Sequence, residues 1–146
     1  MSTYSFLNVQ ATIAGPGGII NLGAGAANAE EGISIQRAGD KNNMIIGADG
    51  EGMNTLRADK SGQVTVRLLK TSPQNAKLMS LFNAQSLSST LWGQNLITVA
   101  QAGQGDIHVA RECAFKKVPD MNYKKDGDIV EWVFDAVKID GQLGKY

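Results

Sequence analysis

The sequence predicts a mainly β domain: an antiparallel sheet closed into a barrel or folded into a sandwich, with one α-helix covering an open end. Three observations carry this expectation. Apolar and polar residues alternate with period two in short segments along most of the chain. The 17 glycines, against 3 prolines, gather between those segments, where tight turns need them. Only residues 71–85 space their apolar side chains at helical intervals. The 146 residues read as one domain, 1–146, long enough to bury a core without staples.

The first strand is expected over residues 6–14, ended by the turn signal Gly15-Pro16-Gly17-Gly18. A short strand follows at 19–22, then a flexible small-residue loop, Gly23-Ala24-Gly25-Ala26-Ala27. Residues 33–36 alternate and fit a half-buried strand, with a turn at 39–42 and a returning strand over 43–47, where Met44 and Ile46 share a face. Residues 47–54 hold three glycines and no core pattern, and read as a long loop or the tip of a long hairpin. A short strand over 55–58 and a turn at 59–62 lead to a clear strand over 63–70. There Val64, Val66 and Leu68 face one way, and Thr65 and Arg67 the other.

In the helix, Ser72 suits the N-cap and Pro73 the first helical position. Leu78, Leu81, Phe82 and Gln85 follow at helical spacing, widened by Ala76 and Met79, before the serine-rich stretch 86–90. The final third returns to strands at 95–100, 107–118 and 128–140, the second ended by Pro119, with a polar connection over 121–128. In the last strand Val130, Trp132, Phe134 and Ala136 form the apolar face; Glu131 and Asp135 lie on the other.

The formal net charge is zero, from 14 basic and 14 acidic residues, unlike the clustered basic excess of a dedicated binder of DNA or anionic membranes. Lys116-Lys117 and Lys124-Lys125 read as solvated edge or turn charges. A single cysteine, Cys113, allows no intrachain disulfide. The first residues lack a signal-peptide pattern, and no apolar run approaches the roughly 20 residues that span a bilayer.

Catalysis finds little support. On one regular strand His108 and Cys113 project to opposite faces, which separates a Cys–His nucleophile pair. Asp40, Asn42, Asp49 and Glu51 do not match a calcium loop and read as turn formers. Gly23-Ala24-Gly25-Ala26-Ala27-Asn28 lacks the third glycine, helix and βαβ context of a dinucleotide site. Trp132 and Phe134 belong to the core face, and Trp92 is expected to pack beneath the helix. No catalytic, cofactor or metal residue is assigned.

Several strings in order carry a resemblance. They are Ala11-Thr12-Ile13-Ala14-Gly15-Pro16-Gly17-Gly18, Asn21-Leu22-Gly23-Ala24-Gly25-Ala26 and Ala29-Glu30-Glu31-Gly32-Ile33. Next come Ile46-Gly47-Ala48-Asp49-Gly50-Glu51-Gly52, Asp59-Lys60-Ser61-Gly62 and Thr65-Val66-Arg67-Leu68-Leu69-Lys70-Thr71-Ser72-Pro73. Ala114-Phe115-Lys116-Lys117 and Glu131-Trp132-Val133-Phe134-Asp135-Ala136 complete the set. Over nearly the whole chain the sequence resembles the tail tube (inner tube) proteins of contractile-tailed bacteriophages and prophages; residues 83–90 and the extreme C-terminus match least.

The resemblance implies a β-barrel subunit in hexameric rings that stack into a hollow conduit for DNA ejection. The implied partners are further copies of itself, a tail sheath protein, a tape measure protein, and baseplate and tail terminator proteins. Genomic DNA would pass without specific binding. The place would be the virion tail, after synthesis in the host cytoplasm, with no membrane contact. Stacking needs a heterologous contact along the axis. The expected inter-ring loop is residues 47–56, with Gly47, Asp49, Gly50, Glu51, Gly52, Met53, Asn54 and Leu56, extended in the free subunit and ordering on assembly. Glu131 and Asp135 are expected to face the lumen and repel DNA, or else to meet the sheath. Rival readings are the tube protein of a type VI-like machine or tail-like bacteriocin, another tail or baseplate component, and a small β-barrel enzyme or ligand binder.

Overall fold

The computed structural model describes residues 3–103 and 105–145. After one 3-10 turn, Phe6–Asn8, come β1 (Val9–Gly15), β2 (Gly18–Asn21), β3 (Asn28–Arg37), β4 (Asn42–Ile46), β5 (Gly52–Leu56) and β6 (Gly62–Leu69). The helix α1 (Gln74–Gln85) is followed by β7 (Asn95–Gln101), β8 (Ile107–Lys117) and β9 (Ile129–Gln142). Seven strands form one antiparallel sheet in the order β2-β1-β7-β8-β9-β6-β3, while β4 and β5 pair only with each other. The sheet curls into a half-barrel.

The concave face is the apolar one. Val64, Val66 and Leu68 of β6 align with Phe134, Trp132 and Val130 of β9, all buried. Phe115 of β8 is the centre of an aromatic cluster, with ring centroids 4.8 Å from Phe134, 5.6 Å from Phe82 and 6.0 Å from Trp132. Such offset and edge-to-face contacts add to area burial. The helix lays Leu78 and Leu81 on this face. It begins one residue later than expected, but Ser72 still caps it: its hydroxyl accepts from the Gln74 N–H at 3.3 Å and donates to the Ala26 carbonyl. Trp92 does not lie beneath the helix; it stays 37 % exposed and meets Phe82 edge-on at the helix end.

A buried amide pair fixes the far end of the helix. Gln85 Nε2 donates to Asn95 Oδ1 at 2.6 Å, and Asn95 Nδ2 donates back to Gln85 Oε1 at 2.8 Å and to the Cys113 carbonyl at 3.1 Å. Gly15 makes room for it, since a Cβ there would lie 2.0 Å from Asn95 Oδ1. The segment expected to be a flexible loop, residues 23–27, is instead pinned to β1. Gly23 and Ala24 donate to the Ala11 and Val9 carbonyls, and Ala26 is fully buried. Small side chains permit that approach: a Cβ on Gly23 would sit 2.6 Å from the Ala11 nitrogen.

Two outcomes test this core by denaturant unfolding. Phe115→Ala should lower stability by about 3–5 kcal/mol, as removal of a buried ring does. Asn95→Ala, which strands Gln85 without its partner, should cost about 1–3 kcal/mol.

Candidate assembly surfaces

The segment expected as a long loop or the tip of a long hairpin takes the second form. It is a regular hairpin, β4 with β5, in the register Ile45↔Met53, Met44↔Asn54 and Asn42↔Leu56. Gly47, Asp49 and Gly50 form its turn. Gly47 N–H donates to the Glu51 carbonyl at 2.7 Å, Asp49 Oδ1 accepts from the Glu51 N–H at 3.1 Å, and Gly50 takes a φ of +87°. Gly52, Met53, Asn54 and Leu56, the first three read as loop in the sequence, belong to β5. At the base, Lys41 Nζ donates to the carbonyls of Arg57 at 2.6 Å and Asp59 at 2.9 Å, which ties the two legs of the arm together. Cross-strand pairing gives this segment regular structure within one chain.

This arm is apolar on both faces. Side chains alternate along a strand, so Ile45 and Met53 share one face and Met44, Ile46 and Leu56 the other. All five are exposed, from 53 % at Ile45 to 84 % at Leu56. The run Met44-Ile45-Ile46 carried the signal: three consecutive apolar residues in a short strand mean apolar side chains on both sides.

Glu131 and Asp135 lie on the convex face of β9, opposite the core. Glu131 pairs with Arg67 Nε at 3.3 Å, and Arg67 also donates to Ser34 Oγ at 2.9 Å. Asp135 accepts from Gln63 Nε2 at 3.3 Å. These residues form a polar strip across β3, β6 and β9 on the outer surface.

His108 and Cys113 do not form a pair, for a reason other than strand parity. The register between β7 and β8 shifts beside Arg111-Glu112, and Glu112 takes a φ of 54°. That bulge returns Ala110 and Cys113 to the same buried face. Five residues of strand, roughly 15 Å, still separate His108 from Cys113. Burial pushes the Cys113 thiol up to about 11. Among the described residues, no three His, Cys, Asp or Glu side chains gather to hold a metal ion.

The half-barrel stays open where β3 faces β1 and β7, leaving a cleft of about 990 Å³. Val9, Ile33, Ile35 and Val99 line it, with Glu30 and His108 among its polar groups. The outer strands of the large sheet are β2 and β3, and β3 borders this cleft.

The family model described as "Bacteriophage PhiTE tail tube protein" matches residues 1–144. No curated protein sequence matches. Among solved structures, the fold is similar to the sheath/tube terminator of an extracellular contractile injection system, PVC, in the extended state. That likeness has a TM-score of 0.65 at 13% identity, over 97% of this chain and 98% of the other. It is also similar to a chain of the PVC sheath-tube complex in the extended state, with a TM-score of 0.57 at 12% identity, over 92% of this chain and 88% of the other. The tube-terminating cap of the anti-feeding prophage gives a TM-score of 0.60 at 9% identity, over 99% of this chain and 93% of that one.

Cys113 offers a direct check on the bulged strand. A thiol held protonated and buried should resist alkylation at pH 8 in the native protein and react at once after denaturation. Rapid native labelling, followed by mass spectrometry, would place Cys113 on the outer face instead.

Proposed function

Because this chain belongs to the bacteriophage PhiTE tail tube protein family, we propose that it is the subunit of a hollow tail tube, built from hexameric rings stacked head to tail. The tube stands inside a contractile sheath and conducts DNA at ejection. Its further partners are the tape measure protein during assembly and the terminator and baseplate proteins at the two ends. The protein is made in the host cytoplasm and ends in the virion tail.

The observation that carries this reading is the β4–β5 arm, paired, projecting, and apolar on both faces. A monomer gains nothing from such an arm, whose bare apolar surface favours aggregation. A stacked ring buries it. The free edges of β2 and β3 support the ring itself: a neighbour's strand against β3 extends the sheet and covers the open cleft. Glu131 and Asp135 fit a bore lining. With Glu131 paired to Arg67, the strip presents no net cationic grip on phosphates, which leaves DNA free to move.

A second reading has its own observation. The likeness to the PVC terminator, at a TM-score of 0.65, exceeds that to the sheath-tube complex chain, at 0.57. A terminator closes a tube and stops at one ring, whereas a tube subunit polymerises.

Negative-stain microscopy of the purified protein separates the two: hollow cylinders of uniform width and variable length are expected, and isolated rings would favour the terminator. Ile45→Asp with Met53→Asp should abolish cylinders while leaving the circular dichroism spectrum and unfolding midpoint of the domain nearly unchanged. Reversal of Glu131 and Asp135 to Lys should slow DNA ejection from assembled particles, and a normal rate would remove both residues from the bore.

A further inference from the structure

A short segment reaches across the open side of the half-barrel. Residues 3–8 precede β1, and Tyr4, Phe6 and Leu7 line the cleft together with Ile33 and Ile35 of β3. The segment is held at its β1 end. Ser5 Oγ accepts from the Leu7 N–H at 3.2 Å, and the Ser5 carbonyl from the Asn8 N–H at 3.1 Å. The Asn8 carbonyl accepts from the Ala102 N–H, just beyond β7, at 2.9 Å. Among the described residues, no hydrogen bond joins residues 3–8 to β3. Contact with β3 is made by the Phe6 ring.

Both partners are shaped for that contact. Between the Asn28↔Leu68 and Ile33↔Val66 pairs β3 buckles, so that residues 29–32 stand opposite Arg67 alone. Gly32, the last of them, is buried and takes a φ of +60°, a conformation that glycine adopts freely. The three atoms that would lie nearest a Cβ there all belong to the Phe6 ring, the first at 3.4 Å. Phe6 is partly buried, while Tyr4 is 63 % and Leu7 84 % exposed. A ring on a glycine thus bridges the mouth of the cleft, from the β1 side to β3, with no hydrogen bond to secure it. It lies where a neighbour's strand along β3 would enter.

We propose that residues 3–8 are a latch. With the Phe6 ring seated on Gly32, the free subunit is closed. With the ring lifted, β3 and the apolar cleft behind it accept the neighbouring copy. This rests on the reading of the protein as a ring-forming subunit, and adds the step that holds assembly back. A strand edge beside a bare apolar cleft invites indiscriminate pairing of lone subunits. A latch restrains that pairing in proportion to the fraction closed: with about one subunit in ten open, apparent affinity for a neighbour falls about tenfold.

Loss of the ring tests this. Phe6→Ala should lower the critical concentration for cylinder assembly about tenfold. It should also speed hydrogen exchange over residues 28–37 of the free subunit and leave β9 unchanged. Removal of residues 2–6 should act in the same way, and Phe6→Leu, which keeps an apolar side chain over Gly32, should fall between. Assembly left unchanged or weakened by either the alanine variant or the truncation would overturn the latch while leaving the tube reading intact. Variants that no longer fold would overturn it too, because a ring on which the fold depends cannot lift. Unsubstituted protein that forms neither rings nor cylinders at any concentration would overturn the tube reading and the latch together.

Discussion

A sheet that curls without closing has one concave apolar face and a single helix to cover it. Everything else in this subunit answers that constraint. Phe115 fills the centre of the hollow and touches Phe82 of the helix and Trp132 and Phe134 of β9. The Gln85–Asn95 pair holds the helix over it and ties the helix end to the bulge in β8. Trp132 adds a bond at the other helix end, donating to Asn75 Oδ1 at 3.1 Å. A polar pair buried this way stabilises only one placement of the helix, because any slide leaves amide groups unmade.

The same constraint explains what is left over. With the helix committed to the hollow, no second layer remains for the β4–β5 arm or for the free edges of β2 and β3. An arm apolar on one face could fold back on its own domain. One with Ile45 and Met53 on one side and Met44, Ile46 and Leu56 on the other cannot satisfy both sides that way. In the proposed tube, neighbouring copies supply the missing surfaces. The convex strip around Arg67, Glu131 and Asp135 is exposed and needs no such cover.

Much of this was legible in the residues themselves. Alternation along β6 and β9 marked Val64, Val66 and Leu68, and Val130, Trp132 and Phe134, as core, because a pleated strand sends every second side chain the same way. Ser72 and Pro73 marked the helix start through local backbone chemistry. The ordered strings gave the family. Two features misled a reading based on strict periodicity: the bulge at Arg111-Glu112, which breaks parity, and the turn at 23–27, whose small residues serve close approach and not mobility.

What the sequence determined by itself is therefore most strands of the large sheet, the buried faces of β6 and β9, the one helix and the family, all of which depend on neighbours within a few residues. Tertiary structure alone decided that β4 and β5 leave the sheet as an arm and that Glu131 pairs with Arg67. Those relations join residues far apart in the chain. They arise from strand order and register, which periodicity within a single strand does not encode.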